Sequence, residues 1–194
     1  MKKLYCFDFD GTITNRDTMF LFLKFYNPQR YYLQFIRHIP LFMMMKMNFV
    51  NAERVKKSFI TSVLKDETQT KLEEQAQRFL VTYKKSIIRK NALDFFKSID
   101  HNTTAYLVTA SLDIWVKPFA DYFNFGCIST QAKFVNGKFA GSFVTKNCNG
   151  IEKVNRIKKE IDLSNFDKVI AFGDTEGDKP MLDWADEGYF NFFH

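Results

Sequence analysis

Lys3-Leu4-Tyr5-Cys6-Phe7 runs without interruption into Asp8-Phe9-Asp10-Gly11-Thr12. A short, largely apolar and β-prone run that meets two carboxylates and a glycine reads as a buried strand emptying into a turn at its carboxyl end. Asp8 stands between two phenylalanines, where a carboxylate is costly to take out of water unless it has a partner. The first question the sequence poses is therefore what faces Asp8.

Downstream of Asn91, strand and helix signals alternate. Helices are expected over 92–99, 113–123, 150–161 and 177–184, and strands over 104–108, 127–130, 168–172 and 189–193. Such alternation predicts an α/β fold with a parallel sheet and helices on its faces. Asn136-Gly137, flanked by alternating residues in Lys133–Phe139, predicts a β-hairpin hanging off that sheet. From Asp17 to Lys90 the spacing is helical instead, with breaks expected near Pro28, near Pro40 and Asn48, and at Asp66-Glu67, where one helix ends and a new cap follows. This arrangement predicts a core of residues 1–15 and 91–194 and a helical insert of residues 16–90, joined by short hinges near Thr14–Arg16 and Arg89–Ala92.

The chain has 194 residues, 46% of them hydrophobic and 26% charged, which excludes disorder, collagen and coiled coil. Its 28 Lys plus Arg outnumber 22 Asp plus Glu, a net charge of +6. The excess is local: residues 15–90 hold 15 basic and 6 acidic side chains, a balance of +9, and the remainder carries −3. Cys6, Cys127 and Cys148 form neither a metal knuckle nor a disulfide frame, so a reducing compartment is expected. The apolar run after Lys2 and Lys3 is broken at Asp8 and Asp10, which predicts no secretion and a cytoplasmic location. Met19–Val50 is the most apolar stretch, but Lys24, Arg30, Arg37 and Lys46 interrupt it before it reaches the ~20 residues of a bilayer span.

Four polar segments end strands or open helices: Asp8–Thr12, Thr109-Ala110-Ser111, Lys153 on the helix after Gly150, and Gly173-Asp174 with Asp178 four residues on. In open α/β sheets the ligand crevice lies beyond the carboxyl ends of the strands, where three of these four segments can converge if their strands are neighbours. Carboxylates crowded there repel one another unless a hard divalent cation sits among them, and Mg²⁺ suits such a set. Other chemistries lack their residues. His38, His101 and His194 accompany no G-x-S-x-G, His and Cys do not cluster for zinc, and no G-x4-G-K-[ST] loop is present.

Asp8-x-Asp10-Gly11-Thr12 after a strand, a strand-ending Thr109, a following lysine and Gly173-Asp174-x3-Asp178 together resemble the four motifs of the haloacid dehalogenase (HAD) superfamily. The resemblance runs from Lys3 to the C-terminus. The helical insert straight after the first motif looks like the C1 cap of subfamily IB, the branch that includes phosphoserine phosphatase. It implies a Rossmann-like core, a C1 cap and a Mg²⁺-dependent phosphatase acting on a small phosphorylated metabolite. Asp8 would be the nucleophile and Asp10 the general acid and base. Mg²⁺ would be held by Asp8, Asp174 and the main-chain carbonyl of Asp10. Thr109, Lys153 and the N–H groups of Phe9 and Ala110 would bind phosphate, and Asp178 would bind a metal water or Lys153. Ser111 is a rival phosphate ligand or a helix cap, and Lys146 and Lys158 are neighbouring alternatives to Lys153.

In phosphoserine phosphatases an acid soon after the first motif binds the substrate amine, and Asp17 stands at that position. The matching cap arginine is missing from Val55–Asp66, Arg54 lying too early, so the chain looks closer to the wider subfamily than to phosphoserine phosphatases. The aromatic and Met-rich run Phe20–Phe49 reads first as the packed core of the cap. Its alternatives are an apolar tunnel or contact with a lipid surface through the interspersed cations. A basic membrane- or nucleic-acid-binding module on a silent site is the non-enzymatic alternative, with the intact acidic quartet against it, and no nucleic-acid partner is expected. A dehalogenase, which needs neither proton donor nor metal, is the weaker enzymatic one.

Overall fold

The computed structural model describes residues 1–47, 49–99 and 103–194. Five parallel strands form one sheet in the order β3-β2-β1-β6-β7: β1 (Lys3–Phe7), β2 (Thr104–Leu112), β3 (Gly126–Thr130), β6 (Lys168–Gly173) and β7 (Glu187–Phe190). β1 is central, with Phe7 level with Leu107 on one side and Phe172 on the other. The loops after β1, β2 and β6 therefore leave the sheet side by side.

Alternation along β1 explains its burial on both faces. Leu4 and Cys6 pack with Val154, Ile157 and Met181 of helices α7 (Ile151–Glu160) and α8 (Lys179–Trp184). Tyr5 and Phe7 face an aromatic stack of Phe95, Phe172 and Phe193, below α5 (Lys90–Ser98). Each fully buried Phe adds about 1.5–3 kcal/mol by the usual transfer arithmetic. The second apolar cluster continues through Trp115 and Phe119 of α6 (Asp113–Phe123) into the insert, where Phe22, Phe59 and Phe79 pack.

The insert consists of α1 (Thr18–Tyr26), α2 (Pro28–Lys46), α3 (Ala52–Leu64) and α4 (Gln69–Ile87), each opened by a polar cap. Asp17, Asn27, Asn51 and Thr68 accept from main-chain N–H groups of the first turns, and Pro28 occupies a position whose N–H would be unpaired anyway. The expected break at Pro40 does not occur, because α2 runs straight through it. The carbonyl that Pro40 leaves without a donor belongs to Ile36, and both residues are exposed, which leaves it open to solvent. Asn48, the other half of that expected break, lies outside the described residues, as does His101.

The two connections between insert and sheet run antiparallel. Asn15 N–H donates to Ile87 O at 2.8 Å and Arg89 N–H to Ile13 O at 2.9 Å. The expected hairpin forms as β4 (Ala132–Val135) and β5 (Lys138–Phe143), turning through Asn136 and Gly137, both at positive φ. It does more than hang off the sheet. Asp66 N–H donates to Phe139 O at 3.0 Å, Phe139 N–H to Glu67 O at 2.9 Å and Gln69 N–H to Gly137 O at 2.8 Å, so the hairpin braces the α3–α4 turn.

Two strand ends differ from expectation by three residues or more. β2 continues past Val108 to Leu112 with a register shift against β3 between Thr109 and Leu112, a bulge that pushes Ala110 and Ser111 out of the ladder. β7 ends at Phe190 rather than Phe193, because Asn191 takes a left-handed conformation and folds Phe193 under the aromatic stack. All three cysteines are free.

Candidate active site

Asp8 emerges at the end of β1, its N–H still donating to Phe172 O at 2.9 Å. The chain then makes one wide turn closed by Thr14 N–H to Phe9 O at 3.0 Å. Gly11 sits at φ 87° within it, a conformation a side chain resists. The Phe9 ring is buried against Phe119.

Lys153, 1% exposed, is the partner that Asp8 requires. Its Nζ donates to Asp8 Oδ1 at 2.6 Å, Asp178 Oδ1 at 2.6 Å and Val108 O at 2.7 Å, which uses all three protons. Lys146 and Lys158 are exposed, the latter lying over the Trp184 ring. One ammonium between two buried carboxylates leaves a negative charge uncompensated. Asp178 is the better hydrogen-bonded of the two, since its Oδ2 also accepts from Asp174 N–H, Thr175 N–H and Thr175 Oγ1. Burial pushes the Asp178 carboxyl up, but Lys153 and Thr175 outweigh it and hold it below its ordinary range. Asp8 carries the deficit: burial pushes its carboxyl up to about 7 against the pull of Lys153. Burial also pulls the Lys153 pKa down, but the two carboxylates raise it above the usual ammonium value, so the lysine stays charged.

Asp174 completes the cluster. One oxygen from each of Asp8, Asp174 and Asp178 lies within 4.8 Å of the others. Thr12 Oγ1 donates to Asp174 Oδ1 at 2.8 Å and lies 3.2 Å from Asp8 Oδ2. Burial raises the Asp174 carboxyl as well. Two carboxylates held up by burial at one strand-end rim are a donor set that a hard cation relieves, and hard oxygen ligands suit Mg²⁺. Asp178 fits that role less well, because its oxygens already serve Lys153 and the Asp174–Thr175 turn.

Asp10 is fixed by three donors. Thr18 N–H and Oγ1 reach its Oδ1 at 2.7 and 2.6 Å, and Ser111 Oγ reaches its Oδ2 at 2.5 Å. Thr18 Oγ1 in turn accepts from Trp115 Nε1 at 3.1 Å. Burial, then the neighbouring charge of Asp17, raises the Asp10 carboxyl to about 6 despite those donors.

Ser111 is thus neither a helix cap nor free for phosphate. Thr109, 1% exposed, accepts Ser111 N–H at 3.2 Å through Oγ1 and keeps its own proton to donate. Thr109 and Ala110 border a cleft of about 830 Å³ that Asp8, Asp10 and Asp178 also line, together with Glu53, Lys56 and Lys57 of α3. Asp17 also borders the cleft, with Oδ1 capping α1 through Met19 and Phe20 N–H. Thr12, Thr18, Trp115 and Thr175 have structural parts in the site that the sequence did not single out. Only Thr12, inside the quoted motif, carried a signal that would have found it.

A family model described as haloacid dehalogenase-like hydrolase matches residues 6–183. Protein CicA of Caulobacter vibrioides (strain NA1000 / CB15N) is 30% identical over 193 residues, covering 98% of this chain and 86% of its own. A crystal structure of a protein with unknown function from Bordetella pertussis Tohama I superposes with TM-score 0.82 at 18% identity, over 98% of this chain and 89% of that one. A substrate-bound phosphoserine phosphatase superposes with TM-score 0.67 at 18% identity, over 98% and 85%. On the match of residues 6–183 to that family model, this chain belongs to the haloacid dehalogenase-like hydrolase family.

Proposed function

We propose that this hydrolase is a Mg²⁺-dependent phosphatase that cleaves a small phosphomonoester through an aspartyl-phosphate at Asp8. In this reading residues 16–90 form a C1-type cap over a core of residues 1–15 and 91–194, and the enzyme works in the cytoplasm. The observation that carries it is the Asp8–Lys153–Asp178 triad beside Asp174, at the carboxyl ends of neighbouring strands, with Asp8 and Asp178 lining a cleft.

Asp8 attacks phosphorus, forming an oxygen–phosphorus bond as the bond to the departing alkoxide breaks. Asp10 gives that alkoxide its proton, then takes one from the water that attacks the phospho-Asp8, returning free carboxylate and inorganic phosphate. Its carboxyl, raised to about 6, is suited to both directions of transfer. Thr109 Oγ1, the Lys153 ammonium and the N–H groups of Phe9 and Ala110 stabilise charge on the phosphoryl oxygens. Asp8, Asp174 and the Asp10 carbonyl would hold Mg²⁺, which would add further neutralisation of that charge. Asp178 keeps Lys153 aimed and ties down the Asp174 turn. The cap limits entry of water, with Asp17 at the rim as a substrate contact.

The test is turnover of p-nitrophenyl phosphate. Asp8→Asn abolishes it, and EDTA abolishes it reversibly on readdition of Mg²⁺; full turnover by the Asp8 variant refutes the assignment.

A further inference from the structure

Among the described residues, the outer face of α2 is left exposed, as is Phe49 after it. Tyr31, Phe35 and Phe42 of α2 pack around Phe59 of α3, which accounts for the inner face. At helical spacing on the other side lie Leu33, Ile36, Met43 and Met47, followed by Phe49, the last four between 62% and 69% exposed. Isolated apolar side chains on a surface need no explanation, but a contiguous row along a 19-residue helix does.

The charges beside the row say what it meets. From Thr18 to Ala52 the chain holds no Asp or Glu, and its cations there are Lys24, Arg30, Arg37 and Lys46. Arg30 is spoken for by Ser62 O and Glu67. Arg37 and Lys46 are exposed and, among the described residues, form no ion pair. A second copy of the chain would bring this same positive charge against itself, which opposes self-association.

We infer that the outer face of α2, with Phe49, docks on an anionic lipid bilayer. The helix lies in the plane of the interface. Its apolar row enters the headgroup boundary, and Arg37 and Lys46 meet lipid phosphates. Unbranched methionines adapt to an irregular apolar surface. At about 1.5 Å per residue, α2 offers an edge about 28 Å long. No helix among the described residues is long and apolar enough to cross the membrane, so contact is with one leaflet.

The experiment is co-sedimentation of the full chain with large vesicles, either equimolar phosphatidylglycerol and phosphatidylcholine or phosphatidylcholine alone. The expected result is binding to the mixed vesicles that falls by about tenfold or more on phosphatidylcholine alone and weakens with salt. Ile36→Glu with Met43→Glu abolishes binding through the apolar row, and Arg37→Glu with Lys46→Glu abolishes it through charge. All four positions are exposed, so circular dichroism and p-nitrophenyl phosphate turnover stay at wild-type levels in both variants. Three results overturn the inference: no wild-type binding to mixed vesicles, equal binding to both compositions, or binding unchanged in either variant. Sedimentation velocity without lipid gives a fourth, a dimer that the Ile36/Met43 variant dissociates.

Discussion

Gly11 and Asp174 approach so closely that a β-carbon on the glycine would lie 2.1 Å from Asp174 Oδ2. The backbone at Gly11 is also at φ 87°, so two independent constraints fall on one residue. Gly11→Ala therefore displaces the Asp174 carboxylate and strains the turn. The expected cost is about 1–2 kcal/mol of stability from the backbone alone, read by urea unfolding, together with loss of the thermal shift that Mg²⁺ is expected to give the wild type. A Gly11→Ala protein with wild-type Mg²⁺ response would show that Asp174 is not where the cation binds.

Lys153 holds two buried carboxylates, so removing it should be far costlier than removing a solvent lysine. Lys153→Ala is expected to lose about 3–5 kcal/mol, the usual penalty for leaving buried charge unpaired. Lys158→Ala should stay within about 0.5 kcal/mol. Chemical denaturation of both variants, compared at one pH, checks the contrast.

Ser111 Oγ donates to Asp10 and thereby favours its ionised form. Ser111→Ala removes that donor, and the Asp10 pKa moves further up from about 6. The apparent pKa that Asp10 contributes to the pH profile of kcat should shift to higher pH. Asp10→Asn should lower kcat by about 10²–10⁴, the range for a lost general acid and base. An unmoved profile in the Ser111 variant would detach Asp10 from the rate.

Burial raises Asp8 to about 7 and Asp10 to about 6 in the metal-free protein, whereas both titrate near 3.8 when unfolded. Between those values the folded state holds more protons than the unfolded one, so the stability they confer is complete below pH 3.8. It is lost as pH rises towards 7. A dication favours the ionised form and opposes that loss. Scanning fluorimetry at pH 5.5 and pH 7.5 should show a larger rise in Tm on adding Mg²⁺ at the higher pH. An equal rise at both would mean that Mg²⁺ does not compete with these protons.

The core was legible because its signals are local. A short apolar run ending in Asp8 makes β1, and Asn136-Gly137 makes the hairpin turn. The convergence of Asp8, Lys153, Asp174 and Asp178 followed from strand order. What local signals missed depends on which way a residue faces. Pro40 is harmless because Ile36 shares its solvent side, and Ser111 turns to Asp10 because the end of β2 bulges. Phe20–Phe49 divides between an inner face that packs as expected and an outer face that does not. Composition alone could not draw that line.

The central claim is that Asp8 receives the phosphoryl group. Acid quench of the enzyme during turnover of a radiolabelled phosphomonoester, followed by peptide mapping, tests it directly. The account predicts a hydroxylamine-labile label on the peptide that contains Asp8, and none in Asp8→Asn. Turnover with no covalent label, or a label on any other residue, would contradict it.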